Sequence, residues 1–248
     1  MILKLIILGL IQGVTEFLPV SSSGHLAIAQ RVLGLSGAEV ALSVVLHMGT
    51  LLALLVFFFR DLLKVFKNTR LMLLILLVTF ITGAAGLIGK KFFEGLFTCP
   101  RAIALAWFAT GLLLLFTRRF MDGKRKELDI KDASILGFTQ AIAIIPGVSR
   151  SGITISTLIF RKMDKSASFV LSFIVGLPAI FAAGLLEAKE IGSVFEARPL
   201  AIAVGFTASF LSGILALALL KRVMDKALFY YFGYYCILIS LVTFVFIH

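Results

Sequence analysis

Gly9-Leu-Ile-Gln-Gly-Val-Thr-Glu-Phe-Leu-Pro-Val-Ser-Ser-Ser-Gly-His25 returns 128 residues later as Gly137-Phe-Thr-Gln-Ala-Ile-Ala-Ile-Ile-Pro-Gly-Val-Ser-Arg-Ser-Gly-Ile153. Gly, Gln, Val, Ser, Ser and Gly coincide. Most side chains capable of chemistry, namely Glu16, Ser22, His25, Arg150 and Thr154, lie within or beside the two copies, and the rest of the chain is largely hydrocarbon. The repeat therefore predicts both the architecture and the place of a site.

Outside the repeat, the composition sets the solvent. Apolar residues make up 60% of the chain and charged residues 15%, far from the balance of a water-soluble domain. Nearly uncharged runs occupy 39–59, 71–89, 102–117, 166–186, 199–220 and 227–247. Each approaches the roughly 20 residues that cross about 30 Å of hydrocarbon as a helix. They are continuously apolar rather than alternating, which excludes an outer-membrane barrel and predicts an all-α polytopic membrane protein with six spanning helices. Cys99 and Cys236 lack metal-ligand spacing and read as packing residues.

The two copies are something else. In each, about a dozen apolar residues run into a Pro/Ser/Gly break and a second short apolar arm follows, so neither arm can span. They read as re-entrant hairpins of two half-helices, tolerated at membrane depth only where protein or a wet cavity satisfies the broken backbone. Each half, about 1–118 and 129–248, is then one hairpin plus three spans, joined by the charged loop 118–132. Three is odd, so the second half is inverted relative to the first within a single membrane domain.

The net charge of +11 forms no continuous stripe, which argues against nucleic acid and for topology signals. Loops at 60–70, 118–132, 161–165 and 221–226 carry 16 of the 24 Lys and Arg residues, and the opposite side carries 7. The richer side is expected to be cytoplasmic, with both termini outside and the hairpins entering from opposite faces to share one cavity. Ala201, Gly205, Ser209 and Gly213 recur every fourth residue, a face suited either to close packing within the chain or to a dimer seam.

Arg150 is the costliest residue, at least about 2.5–3.5 kcal/mol on insertion scales, so an anion is expected beside it. Ser149, Ser151, Gly152 and Thr154 add hydroxyls and backbone N–H groups at a half-helix N-terminus, and the guanidinium fork suits phosphate. The competing reading is an Arg150–Glu16 ion pair that only pins the hairpins. Gln12 and Glu16 share a helix face; with one carboxylate there, a metal at Glu16 would draw on substrate phosphates for ligands. Ser22 and His25, three apart, form a possible nucleophile and base. His47 either extends the site or is a satisfied buried imidazole, and His248 is a terminal residue of no expected role. Hydrolysis is not the only reading: broken helices in an inverted repeat also suit an alternating-access carrier or flippase of a lipid phosphate.

Gln12-Gly-Val-Thr-Glu16-Phe-Leu-Pro-Val-Ser-Ser-Ser-Gly-His25 together with Pro146-Gly-Val-Ser-Arg-Ser-Gly-Ile-Thr154 resembles the bacterial undecaprenyl-diphosphate phosphatases, also called bacitracin-resistance proteins. The resemblance implies hydrolysis of a long-chain polyprenyl diphosphate to the monophosphate and phosphate, recycling the carrier for cell-wall synthesis. Carried onto this chain, the family's motifs fall on Gln12, Glu16, Ser149, Arg150, Ser151 and Thr154, with Ser22 and His25 also present. It further implies Mg²⁺ or Ca²⁺, a homodimer, and a site in the bacterial cytoplasmic membrane open to the outer face. The nucleophile stays open between Ser22, His25 and water.

Overall fold

The computed structural model describes residues 1–35, 43–187 and 199–246, and these hold twelve α-helices and no strand. Lys189, Arg198 and His248 and the start of the first expected span, at 39–42, lie outside the described residues. Large side chains such as Phe80, Leu87, Leu215 and Phe246, each at least 71% exposed, face outward, as lipid solvent allows and water would not.

Each break has a local cause. α1 (Ile2–Phe17) stops because Leu18 precedes Pro19 and is pushed to the extended region, φ −64° and ψ 146°. Ser21, at a left-handed φ of 67°, then caps α2 (Ser22–Val32) by accepting from the Gly24 N–H. α8 (Ile130–Ile142) ends before Pro146, and Ser149 caps α9 (Arg150–Phe160) by accepting from the Gly152 N–H at 3.1 Å.

Among the described residues four helices are long and apolar enough to cross a membrane: α5 (Thr69–Ile88), α7 (Pro100–Thr117, prolonged to Phe120), α10 (Lys165–Glu187) and α11 (Pro199–Asp225). α3 (Ser43–Phe57) passes into α4 (Phe59–Phe66) through a 73° bend, and the pair makes a fifth only if read as one bent span. The sixth expected span is α12 (Tyr231–Phe246), whose 16 residues reach about 24 Å, short of a full crossing. α6 (Lys90–Phe97) is a short link between α5 and α7.

Shifting the first-half helices by 128 residues lays α1 on α8, α2 on α9, α3 on α10, α5 on α11 and α7 on α12. The packing is crosswise: α1 docks on α11, its counterpart α8 docks on α5, and α7 and α12 pack on each other. Close approach of α1 to α11 needs glycine. A Cβ on Gly9 would lie 2.6 Å from the Gly205 carbonyl oxygen, and one on Gly13 would strike Ser212 Oγ. The small-residue face of α11 is spent here, because Ser209 donates to the Leu46 carbonyl at 2.6 Å and Gly213 abuts Phe17 and Ala53. Of the two readings of that face, packing within the chain is the one observed.

The four basic segments gather at one end of the bundle. Val65, Leu128 and Met163 share one apolar cluster, the Arg125 N–H donates to the Lys162 carbonyl, and Lys165 Nζ donates to the Asp225 carbonyl. Asp132, fully buried, receives Arg125 Nη2 and Arg161 Nε, each at 2.6 Å, and clasps the 118–132 loop to the end of α9. Both cysteines are free; Cys236 is buried with its thiol toward the Pro19 carbonyl, and Cys99 is exposed.

Candidate active site

The two breaks meet and satisfy each other. The Gly147 N–H donates to Ser21 Oγ at 3.1 Å and Ser151 Oγ donates to the Leu18 carbonyl at 3.3 Å. α7 supplies the remainder: Trp107 Nε1 donates to the Val20 carbonyl at 2.7 Å, and Thr110 donates to the Gly147 carbonyl and accepts from the Ser149 N–H. Gly147, at φ 95°, has no room for a Cβ, which would sit 2.5 Å from the Ile103 carbonyl oxygen. Protein groups thus meet the backbone cost of irregular chain inside the bundle.

Beside this junction lies a cavity of about 220 Å³. Glu16, Ser22, Ser149 and Arg150 line it, joined by Thr15, Ser21, Ser23, His47, Thr82 and Gln140, with Ile144, Val148, Ala179 and Ile180 as an apolar wall. At its centre Arg150 Nη2 donates to Glu16 Oε1 at 2.8 Å, while Ser22 Oγ donates to Glu16 Oε2 at 2.7 Å and Gln12 Nε2 to the same oxygen at 3.1 Å. The Glu16 and Arg150 side chains are 8% and 16% exposed, enough to be reached from the cavity and little enough for the pair to be strong.

The other expected residues stand further back. Gln12 is fully buried behind Glu16 and does not line the cavity. Thr154, also fully buried, donates to the Arg150 carbonyl at 2.7 Å and shares a 2.6 Å hydrogen bond with Ser172, one turn behind the guanidinium. Ser151 links Leu18 to Ser149, and the Gly152 N–H is already taken by its cap. His25 is not brought to Ser22. Its Nδ1 bonds the Ser21 carbonyl and its Nε2 the Tyr235 hydroxyl, both at 2.7 Å, and its ring sits between Trp107 and Tyr235.

His47 does line the cavity, with Nδ1 held by the Ser43 carbonyl at 2.9 Å and no hydrogen bond to Nε2 among the described residues. The sequence leaves His47 between extending the site and being a satisfied buried imidazole, and the docking of α3 beside α1 is what puts it on the cavity. Gln140 and Thr82 are lining residues that sequence reasoning misses; for Gln140 a signal exists, because it is the repeat counterpart of Gln12.

As a donor set for a divalent cation, the cavity offers Glu16 as its one carboxylate, and the described residues contain no cluster of three His, Cys, Asp or Glu side chains. Gln12 Oε1, buried beside Glu16, has no partner. Hard oxygens of this kind fit Mg²⁺ or Ca²⁺ only as part of a shell completed by phosphate and water.

An ion pair and a serine line a cavity at the junction of two helix breaks, inside a helical bundle whose outer face is apolar, and this sets the chain among the polytopic membrane proteins. The chain belongs to the family described as Bacitracin resistance protein BacA, whose model matches residues 5–242. Proteins named Undecaprenyl-diphosphatase are similar along their full length. That of Syntrophotalea carbinolica is 41% identical over 248 residues, covering 94% of both chains. That of Halothermothrix orenii is 36% identical over 252 residues, covering 98% of this chain and 97% of its own. That of Thermotoga maritima is 34% identical over 244 residues, covering 97% and 98%.

Proposed function

We propose that this chain hydrolyses undecaprenyl diphosphate to undecaprenyl phosphate and inorganic phosphate, and that Ser22 is its nucleophile. The observation that carries the assignment of roles is the chain Ser22 Oγ–Glu16–Arg150, with hydrogen bonds of 2.7 and 2.8 Å, opening on one cavity. A cavity of about 220 Å³ takes a diphosphate head and its first carbons, while the long polyprenyl chain stays in the bilayer. Ile144, Val148, Ala179 and Ile180 form the wall along which that chain leaves.

Glu16 accepts the Ser22 proton as Oγ attacks the terminal phosphorus, and the bond from that phosphorus to the bridging oxygen breaks. Undecaprenyl phosphate leaves with the bridging oxygen. Water then attacks phosphoserine, the phosphorus–Oγ bond breaks, and Ser22 recovers its proton. Arg150 turns its fork from Glu16 to the equatorial oxygens, where charge grows in the transition state. Thr154 holds the Arg150 carbonyl, while the Ser149 cap on the Gly152 N–H and the Ser151 bond to Leu18 fix the turn on which Arg150 stands, and together they aim its side chain. His25 braces the turn that presents Ser22 by holding the Ser21 carbonyl.

Mg²⁺ or Ca²⁺ entering with the substrate would neutralise phosphate charge beside Glu16, the one carboxylate of the cavity. The two halves are proposed as an inverted repeat, supported by the reciprocal docking of α1 on α11 and α8 on α5. The end bearing the basic segments is proposed as cytoplasmic, which puts both termini outside and opens the cavity outward from the cytoplasmic membrane. A homodimer would need a surface other than the buried face of α11. Similarity to enzymes along the whole chain favours hydrolysis over an alternating-access carrier or flippase.

The test is rapid mixing of purified protein with substrate labelled in the terminal phosphate. The expected result is a burst of acid-stable label on the protein that vanishes in Ser22→Ala. Turnover that leaves neither acid-stable label nor the acid-labile, alkali-stable label of a phosphohistidine would assign the attack to water.

A further inference from the structure

Gln140 holds one of the two orphaned carboxamide oxygens in the described residues. Its side chain is 2% exposed, its Nε2 donates to Thr82 Oγ1 at 3.2 Å, and Thr82 in turn donates to the Gly137 carbonyl at 3.2 Å. Its Oε1 is buried with no hydrogen-bond partner among the described residues. A buried, unpaired carbonyl oxygen costs on the order of 1–3 kcal/mol, so its persistence beside a cavity asks for a use.

The use lies next to it. Arg150 spends Nη2 on Glu16, and Nη1 has no partner among the described residues. That amino group occupies the space a side chain on Gly176 would fill, and the same vacant Cβ position is 3.5 Å from Gln140 Oε1. The glycine of α10 thus leaves an unpaired donor and an unpaired acceptor bordering one small space. Exchanging the amide oxygen and nitrogen would set an NH₂ toward the guanidinium, donor against donor, so the orientation with oxygen inward is the one chemistry favours.

We infer that Gln140 is a positioning residue for Arg150: its Oε1 takes Nη1 when the fork leaves Glu16 for the phosphate. The inference rests on the role proposed above for Arg150. Glu16 cannot hold the guanidinium throughout, because its charge repels an incoming diphosphate and it must receive the Ser22 proton. A neutral acceptor anchors the far side of the fork without competing for the anion and leaves Nη2 and Nε for phosphate oxygens. The repeat made the residue available: Gln12 serves Glu16 in one half, and Gln140, its counterpart, serves Arg150 in the other.

The experiment measures phosphate release by purified full-length protein in detergent for wild type, Gln140→Met, Gln140→Glu, Arg150→Lys and the double variants. Gln140→Met, close in shape but without the acceptor, is expected to lose roughly 10- to 100-fold in kcat/KM, the range for a hydrogen bond to a charged group. Gln140→Glu retains an acceptor oxygen and is expected to keep kcat within a few-fold of wild type, the loss falling on KM. In the Arg150→Lys background, where Nη1 no longer exists, Gln140→Met is expected to add nothing, a result that general structural damage does not produce.

Wild-type activity in Gln140→Met, an equal loss in the Arg150→Lys background, or a kcat loss in Gln140→Glu as heavy as in Gln140→Met overturns the inference. If Gln140→Met does not fold, Gln140→Glu alone and combined with Arg150→Lys decides by the same criteria. An inactive wild type overturns the proposed function instead.

Discussion

Replacing Arg150 with Met removes the charge and keeps most of the volume, leaving the Glu16 carboxylate buried without its partner. At an N···O distance of 2.8 Å the charge centres lie about 4 Å apart, worth about 4 kcal/mol at an effective dielectric near 20. Glu16 keeps hydrogen bonds from Ser22 and Gln12 and faces a cavity that admits water, so the expected cost is about 3 kcal/mol, at the low end for breaking a buried pair. Glu16→Gln strands the guanidinium instead and costs a similar amount. The double variant leaves neither charge exposed to desolvation and returns to within about 1–2 kcal/mol of wild type. Trp107, the sole tryptophan, sits against His25 and donates to the Val20 carbonyl, so its fluorescence during SDS titration in mixed micelles reports unfolding at the site. Additive losses in the double variant would refute the argument, because they would mean the two charges do not stabilise each other. Activity stays lost in all three variants, which separates what the pair does for folding from what it does for turnover.

Four further outcomes follow from the geometry. Tyr235→Phe removes only the hydroxyl from His25 Nε2 and lowers turnover a few-fold, for one hydrogen bond of about 1 kcal/mol, whereas His25→Ala also frees the Ser21 carbonyl and lowers it more; a Tyr235→Phe protein more active than wild type would instead make His25 the base. Gly13→Val drives a side chain into Ser212 and Ser209 and costs roughly 3 kcal/mol or more, read as a lowered SDS midpoint with activity lost in parallel. Asp132→Asn unpairs Arg125 and Arg161, which are 39% and 34% exposed, so the cost is about 1–2 kcal/mol after screening, with kcat unchanged in protein that remains folded. EDTA abolishes phosphate release and added Mg²⁺ restores it, as expected where Glu16 supplies too few donors to retain a cation alone.

The hairpins were legible because Pro19 and Pro146 stop helices by steric rules that hold in any solvent. The meeting of Glu16 with Arg150 was readable as a charge balance, since a guanidinium in hydrocarbon demands an anion. His25 was misleading for a geometric reason. A spacing of three residues sets two Cβ atoms near one helix face, but Trp107 and Tyr235, on helices distant in sequence, decide where the ring turns. His47 and Thr82 reach the cavity only through helix docking, which periodicity does not encode. The span count departs from six at two helices: α3, where the expected start at 39–42 lies outside the described residues, and α12, whose 16 described residues fall short of a full crossing.

The crosswise packing also sets a timetable for biogenesis. α1 is made well before the helix it docks on, α11, which ends at Asp225. Until α11 is inserted, the glycine face of α1 waits in the translocon or lipid without its mate. A chain that stops before α11 carries every residue that lines the cavity, through Ile180, yet lacks the helix that fastens α1 and Glu16 in place, and is expected to be inactive.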